Sequence, residues 1–135
     1  MNKNLKSRKN YYKKGTGFSK YDKNGNVIYS ESIGNLGETV RHFYFYDDLN
    51  RRIRYRREEM LNTFEEVTEY FNDGSKQITT SNSNSSGWCT RMYNNMGRMI
   101  DEQTVDNCGN VIHTMYKHDT YVTFKSKIPY EYILW

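Results

Sequence analysis

Five arginines crowd the seven residues "RRIRYRR": Arg51, Arg52, Arg54, Arg56 and Arg57. The guanidinium fork suits carboxylate or phosphate recognition, and Lys13, Lys14 and Lys20 add ammonium groups nearer the N-terminus. These eight cations are the candidate binding set. A single-strand nucleic-acid surface would combine them with stacking rings, and the chain carries 13 Tyr, 6 Phe and 2 Trp at a net charge of +4. Catalytic chemistry has less to draw on. His42, His113 and His118 lack metal-ligand company, and there is no Gly-x-Ser-x-Gly elbow and no phosphate loop. Cys89 and Cys108 have no metal-ligand spacing. No catalytic residue, metal or cofactor is expected, so the chain reads as non-enzymatic.

Charge is segregated. The first 25 residues hold eight Lys or Arg against one Asp, and Glu58 to Asp73 holds six acids and no base. Folding the chain back around Leu61 and Asn62 would set Arg52, Arg54 and Arg56 against the strand of Glu65, Glu66 and Glu69. Cross-strand ion pairs then account for the arginine row without any ligand.

The elements that must position these groups are strands. Alanine is absent and Pro occurs once, whereas Tyr, Ile and Thr, which suit pleated surfaces, are plentiful. In "RRIRYRR" the alternation points Ile53 and Tyr55 one way and Arg52, Arg54 and Arg56 the other. Turn signals recur at Gly25, Gly37, Asn50, Asn62, Gly74, Gly87, Gly97 and Gly109, in steps of 12, 13, 12, 12, 13, 10 and 12 residues. Asn fills two places in this lattice because it best tolerates positive φ among non-glycine residues.

The expected fold is all-β, an antiparallel meander of roughly nine or ten strands built from strand–turn units of about 12 residues. It is left open here as a curved sheet, a sandwich or a barrel. Every second turn carries a stronger motif, "YDKNGN", "YDDLNR", "YFNDGS" and "YNNMGR". Tyr21, Tyr46, Tyr70, Tyr93 and, in register, Tyr116 would then line up across the sheet. Two strand spacings, roughly 9 to 10 Å, separate them, so intervening strands must interleave aromatic or β-branched side chains. Cys89 and Cys108, two strands apart by the same count, lie too far apart for a disulfide.

In these motifs the chain resembles the Rhs or YD-repeat family, whose pattern is Tyr-Asp, two variable residues, Gly, then Arg or Asn. The resemblance covers about Tyr11 to Lys125. It implies a hairpin-repeat sheet; in that family long arrays form shells around toxin domains, and the five or six motifs here are too few to close one, so the fold is expected to carry over and encapsulation is not.

Three segments follow: a basic flexible arm over residues 1–10, the meander domain over 11–126, and an aromatic tail over 127–135, "KIPYEYILW", packing on the sheet. No apolar run approaches the roughly 18 residues of a membrane span, and no leader-like apolar stretch follows the basic N-terminus, so the expected location is the cytoplasm. The function expected is that of a protein-binding module, a small inhibitor or immunity-like protein. Its concrete form is an anti-CRISPR-like, phage or mobile-element product that blocks a host nuclease or defence complex. The alternatives are a single-stranded nucleic-acid binder using Tyr and Arg, and a self-associating structural repeat protein. Partners are thus a protein or ribonucleoprotein, nucleic acid, or a second copy in a homodimer, with no membrane.

Overall fold

The computed structural model describes residues 6–12, 15–117 and 120–127. It is an all-β antiparallel meander. The strands are β1 (Lys6–Tyr12), β2 (Gly15–Tyr21), β3 (Val27–Ile33), β4 (Thr39–Tyr46), β5 (Arg52–Glu58), β6 (Thr63–Tyr70), β7 (Lys76–Asn82), β8 (Trp88–Tyr93), β9 (Met99–Val105), β10 (Asn110–Lys117) and β11 (Thr120–Lys127). Neighbours in the sheet follow chain order. β1 pairs with β2 along its length, from Lys6↔Tyr21 to Tyr12↔Gly15. Lys6 to Asn10 are therefore strand and not arm, because the preceding segment satisfies the N–H and C=O groups that β2 would otherwise leave unpaired. Lys13, Lys14, His118 and the tail beyond Lys127 lie outside the described residues. The chain divides into two compact units, Met1–Glu65 and Glu66–Trp135.

The repeated motif folds into one kind of turn. Asp22 N–H donates to the Asn26 carbonyl at 2.8 Å and Gly25 N–H to the Asp22 carbonyl at 3.1 Å. This is a three-residue loop, a type I turn followed by a left-handed residue. Asp22 Oδ1 accepts from the backbone N–H groups of Asn24 and Asn26, each at 2.9 Å. Asp47, Asn94 and Asp106 repeat the same two side-chain bonds. The fourth position is left-handed in each, with φ of +86° at Gly25, +62° at Asn50, +81° at Gly97 and +80° at Gly109. The motif's Asp or Asn and its Gly or Asn are thus turn chemistry.

Two lattice positions work differently. Asn62 is not left-handed, since among the described residues Asn50 alone of the non-glycines has positive φ. Its turn is closed by Glu59 N–H donating to the Asn62 carbonyl at 2.9 Å, with Met60 and Leu61 at the tip. Gly87 is not left-handed either. A Cβ there would sit 2.2 Å from the Val105 carbonyl oxygen, so close backbone approach requires the glycine.

The motif tyrosines mark bulges. Register slips between Lys20 and Tyr21, between Phe45 and Tyr46, and between Met92 and Tyr93. In each case the partner strand passes over an isoleucine, Ile28, Ile53 or Ile100. A bulge inserts one unpaired residue and inverts the in–out alternation beyond it.

Burial differs between the units. In Glu66–Trp135, Trp88 pairs with Val105, and Val105 with Val111; these two valines are the buried hydrophobic residues among those described, at 2% and 6% exposure. In the first unit, no described residue from Gly17 to Glu65 is buried.

Candidate functional site

The first unit presents two chemically distinct faces. Alternation on β4 sends Phe43 and Phe45 to one side and His42, Tyr44 and Tyr46 to the other. On the first side the pairs Lys20↔Tyr29, Tyr29↔Phe43 and Phe43↔Arg56 run across β2 to β5. Ring centroids are 5.7 Å apart for Phe18 and Tyr29, and 5.2 Å for Tyr29 and Phe43. Cations cover these rings: Lys20 lies 5.6 Å from the Tyr29 centroid, Arg56 lies 4.5 Å from Phe43, and Arg54 lies 5.7 Å from Phe45. Tyr29 O–H donates to Glu31 at 2.5 Å. Burial, then this bond, pushes the phenol above its usual range.

The opposite side is built from Tyr44, Tyr55, His42 and Phe64. Tyr55 is its hub: its centroid is 5.1 Å from Tyr44, 5.9 Å from His42 and 6.1 Å from Phe64. His42 Nδ1 and the Tyr55 hydroxyl share a 2.7 Å hydrogen bond. Arg52 lies 5.5 Å from the Tyr55 ring, and Arg57 lies 5.0 Å from Phe64.

The arginine row is therefore split between the faces. Simple alternation placed Arg52 with Arg54 and Arg56, but the bulge over Ile53 pairs Arg52 with Tyr46 and turns it onto the Tyr55 side. Carboxylates accompany the row. Arg51 Nε meets Asp47 at 2.8 Å, Arg54 meets Glu65 at 2.8 Å, Arg56 meets Glu58 at 3.2 Å and Arg57 meets Glu59 at 2.8 Å. Arg54 and Glu65 form the cross-strand pair expected around Leu61 and Asn62, whereas Arg56 and Arg57 take acids two residues along their own chain. The Nε atoms of Arg56 and Arg57 are buried and reach their carboxylates at ion-pair distance without hydrogen-bond alignment. Bonds from the Arg51 backbone and then its side chain hold the Asp47 carboxyl below the usual range.

Of the motif tyrosines, Tyr46 O–H donates to the Val27 carbonyl at 2.7 Å, and Val27 is the cross-strand partner of Tyr21. Lys76 covers the Tyr93 ring at 5.5 Å, and Tyr116 lies 6.0 Å from Tyr121. Tyr70 ends β6. Turn tips also touch: Asn24 and Asn26 side-chain amides both donate to Asn50 Oδ1, at 2.9 and 3.0 Å.

Sequence reasoning passed over two features. The phenylalanines of "RHFYFY" form half of the first face, a signal present in the alternation of that strand. In the second unit a groove of about 510 Å³ is lined by Met92, Ile100, Met115, Tyr121, Val122 and Phe124, with Asp101 among them; both Asp101 oxygens meet His113 Nε2 at 2.9 Å. No local motif announces that pair, since cross-strand register creates it. Cys89 and Cys108 are free thiols. Among the described residues no group of three His, Cys, Asp or Glu is placed to hold a metal, and no helix is long and apolar enough to cross a membrane.

His42 gives this site a pH dependence. Burial and then the Arg57 guanidinium hold its imidazole below the usual value, against a smaller pull from Glu59; Tyr44, Tyr55 and the cross-strand Ser30 are its other polar neighbours. Below about pH 6.5 the unfolded chain then binds the proton more readily than the folded one, so stability falls as pH drops through that value. Urea unfolding at pH 7.5 and 5.5 should show this loss in the native chain and a smaller one in His42→Gln, which has no proton to gain. An equal loss in both would show that His42 is not its source.

Comparison with protein-family models, curated sequences and solved structures finds no match for this chain.

Proposed function

We propose that the chain is a non-enzymatic protein-binding module whose contact surface is the Tyr44–Tyr55 face of the first unit. The observation that carries this reading is the absence of any buried side chain among the described residues from Gly17 to Glu65. A sheet stabilises itself by covering an apolar face, and a face rich in Tyr and Arg is a surface another protein can cover. Tyr supplies large contact area at low entropic cost, and Tyr and Arg are enriched among residues that dominate binding energy. The carboxylates beside Arg51, Arg54, Arg56 and Arg57 favour a protein over nucleic acid, because a phosphate backbone would meet the acids as well as the bases. An inhibitor or immunity-like role, directed at a host nuclease or defence complex, is the form that suits a small module of this kind.

The test is affinity capture of the tagged chain from host lysate, with and without nuclease, beside a Tyr44→Ala/Arg57→Ala double variant. One protein that survives nuclease and is lost with the double variant is the expected result. Loss of all captured material on nuclease treatment would transfer the reading to nucleic acid. Retention by the double variant would remove this face from the site.

A further inference from the structure

The opposite face of the same unit has a different chemistry, and we infer that it is covered by its own counterpart in a second copy of the chain, in a two-fold, face-to-face sandwich. Its centre is the row Phe18, Tyr29 and Phe43, with Phe45 beside it at 40% exposure. Phe18, Phe43 and Phe45 have no polar tip to offer water, and the Tyr29 hydroxyl between them is already bonded to Glu31, so the row is stabilised by being covered.

Charge identifies the cover. An isologous contact places a patch against itself, so the patch must be self-complementary. Around the row, Arg41, Arg54 and Arg56 stand beside Glu31, Glu65 and Glu58 at 4.0, 2.8 and 3.2 Å. A two-fold axis through the aromatic row would bring arginines of one copy toward carboxylates of the other. A strongly acidic or strongly basic partner would find no such match. Four strands, β2 to β5, about 4.8 Å apart and seven residues of about 3.3 Å give roughly 440 Å² of flat area per copy, and side chains standing off the sheet raise it toward the roughly 800 Å² per partner of a stable interface. Two sheets packed about 10 Å apart would bury both aromatic rows, as in a sandwich core.

This inference uses the face that the proposed partner site leaves open, so either can fail without the other. Sedimentation equilibrium of the full chain should give a mass near twice 16.2 kDa at micromolar concentration. Phe45→Glu, at the more exposed position, should weaken the dimer at least tenfold and leave the far-ultraviolet spectrum unchanged; Phe43→Glu should do so more strongly. Tyr44→Glu, on the other face, should leave the mass unchanged. A native chain that stays monomeric at millimolar concentration overturns the inference. So does a dimer that Phe45→Glu leaves intact, or one that Tyr44→Glu weakens as much as Phe45→Glu does.

Discussion

Gly87→Ala is expected to destabilise the chain by about 3 kcal/mol, the upper end of the range for overpacking, because the neighbour it meets is backbone and cannot rotate away. The added Cβ would lie 2.2 Å from the Val105 carbonyl oxygen and 3.1 Å from Asp106 Cα. Val105 is at 2% exposure and pairs with Trp88, the residue after the glycine. Relief must therefore separate β8 from β9 at the best-buried place in the second unit. Gly97→Asn is the internal control. It has φ of +81° with nothing within 4 Å of the new Cβ, and Asn50 already occupies the equivalent turn position at +62°. Its cost should be below about 1 kcal/mol. Urea unfolding of the two variants checks both, and equal losses would show that the close approach at Gly87 is not tight.

Tyr55→Ala should cost about 2 kcal/mol, less than truncation of a fully buried aromatic side chain because the ring is only half-buried. It removes the ring that touches His42, Tyr44 and Phe64, and the hydroxyl bonded to His42. Tyr55→Phe separates the two contributions: keeping the ring and losing the bond should cost about 1 kcal/mol. Arg54→Ala, one residue away on the other face, loses an exposed pair with Glu65 and should cost less than about 1 kcal/mol. Denaturant midpoints decide the matter. If Arg54→Ala proved as damaging as Tyr55→Ala, the ion pair and not the aromatic cluster would be holding β5.

The turn lattice was readable because left-handed backbone restricts residue choice so strongly: Gly25, Gly97, Gly109 and Asn50 announce themselves by type alone. Gly87 and Asn62 occupy the same period for other reasons, and residue type does not separate crowding from φ. The Arg54–Glu65 pair was readable from the hairpin's symmetry. The side taken by Arg52 was not, since it depends on a bulge over Ile53 that no residue in "RRIRYRR" signals. Nor did composition show where burial falls. Aromatic residues abound in the sequence, yet among the described residues the buried hydrophobic positions are Val105 and Val111, fixed by register with Trp88.

Because neighbours in the sheet follow chain order, a strand's partners are the segments just before and just after it. Closing each pair needs only a short loop, such as Asp22 to Asn26, so the entropy lost before contacts form is small. Most all-β proteins fold slowly because their strands pair across long stretches of sequence. Here every strand pair is local, and each further strand adds to the edge left by the one before it. Folding can therefore proceed by adding neighbouring strands, without any long-range strand pairing.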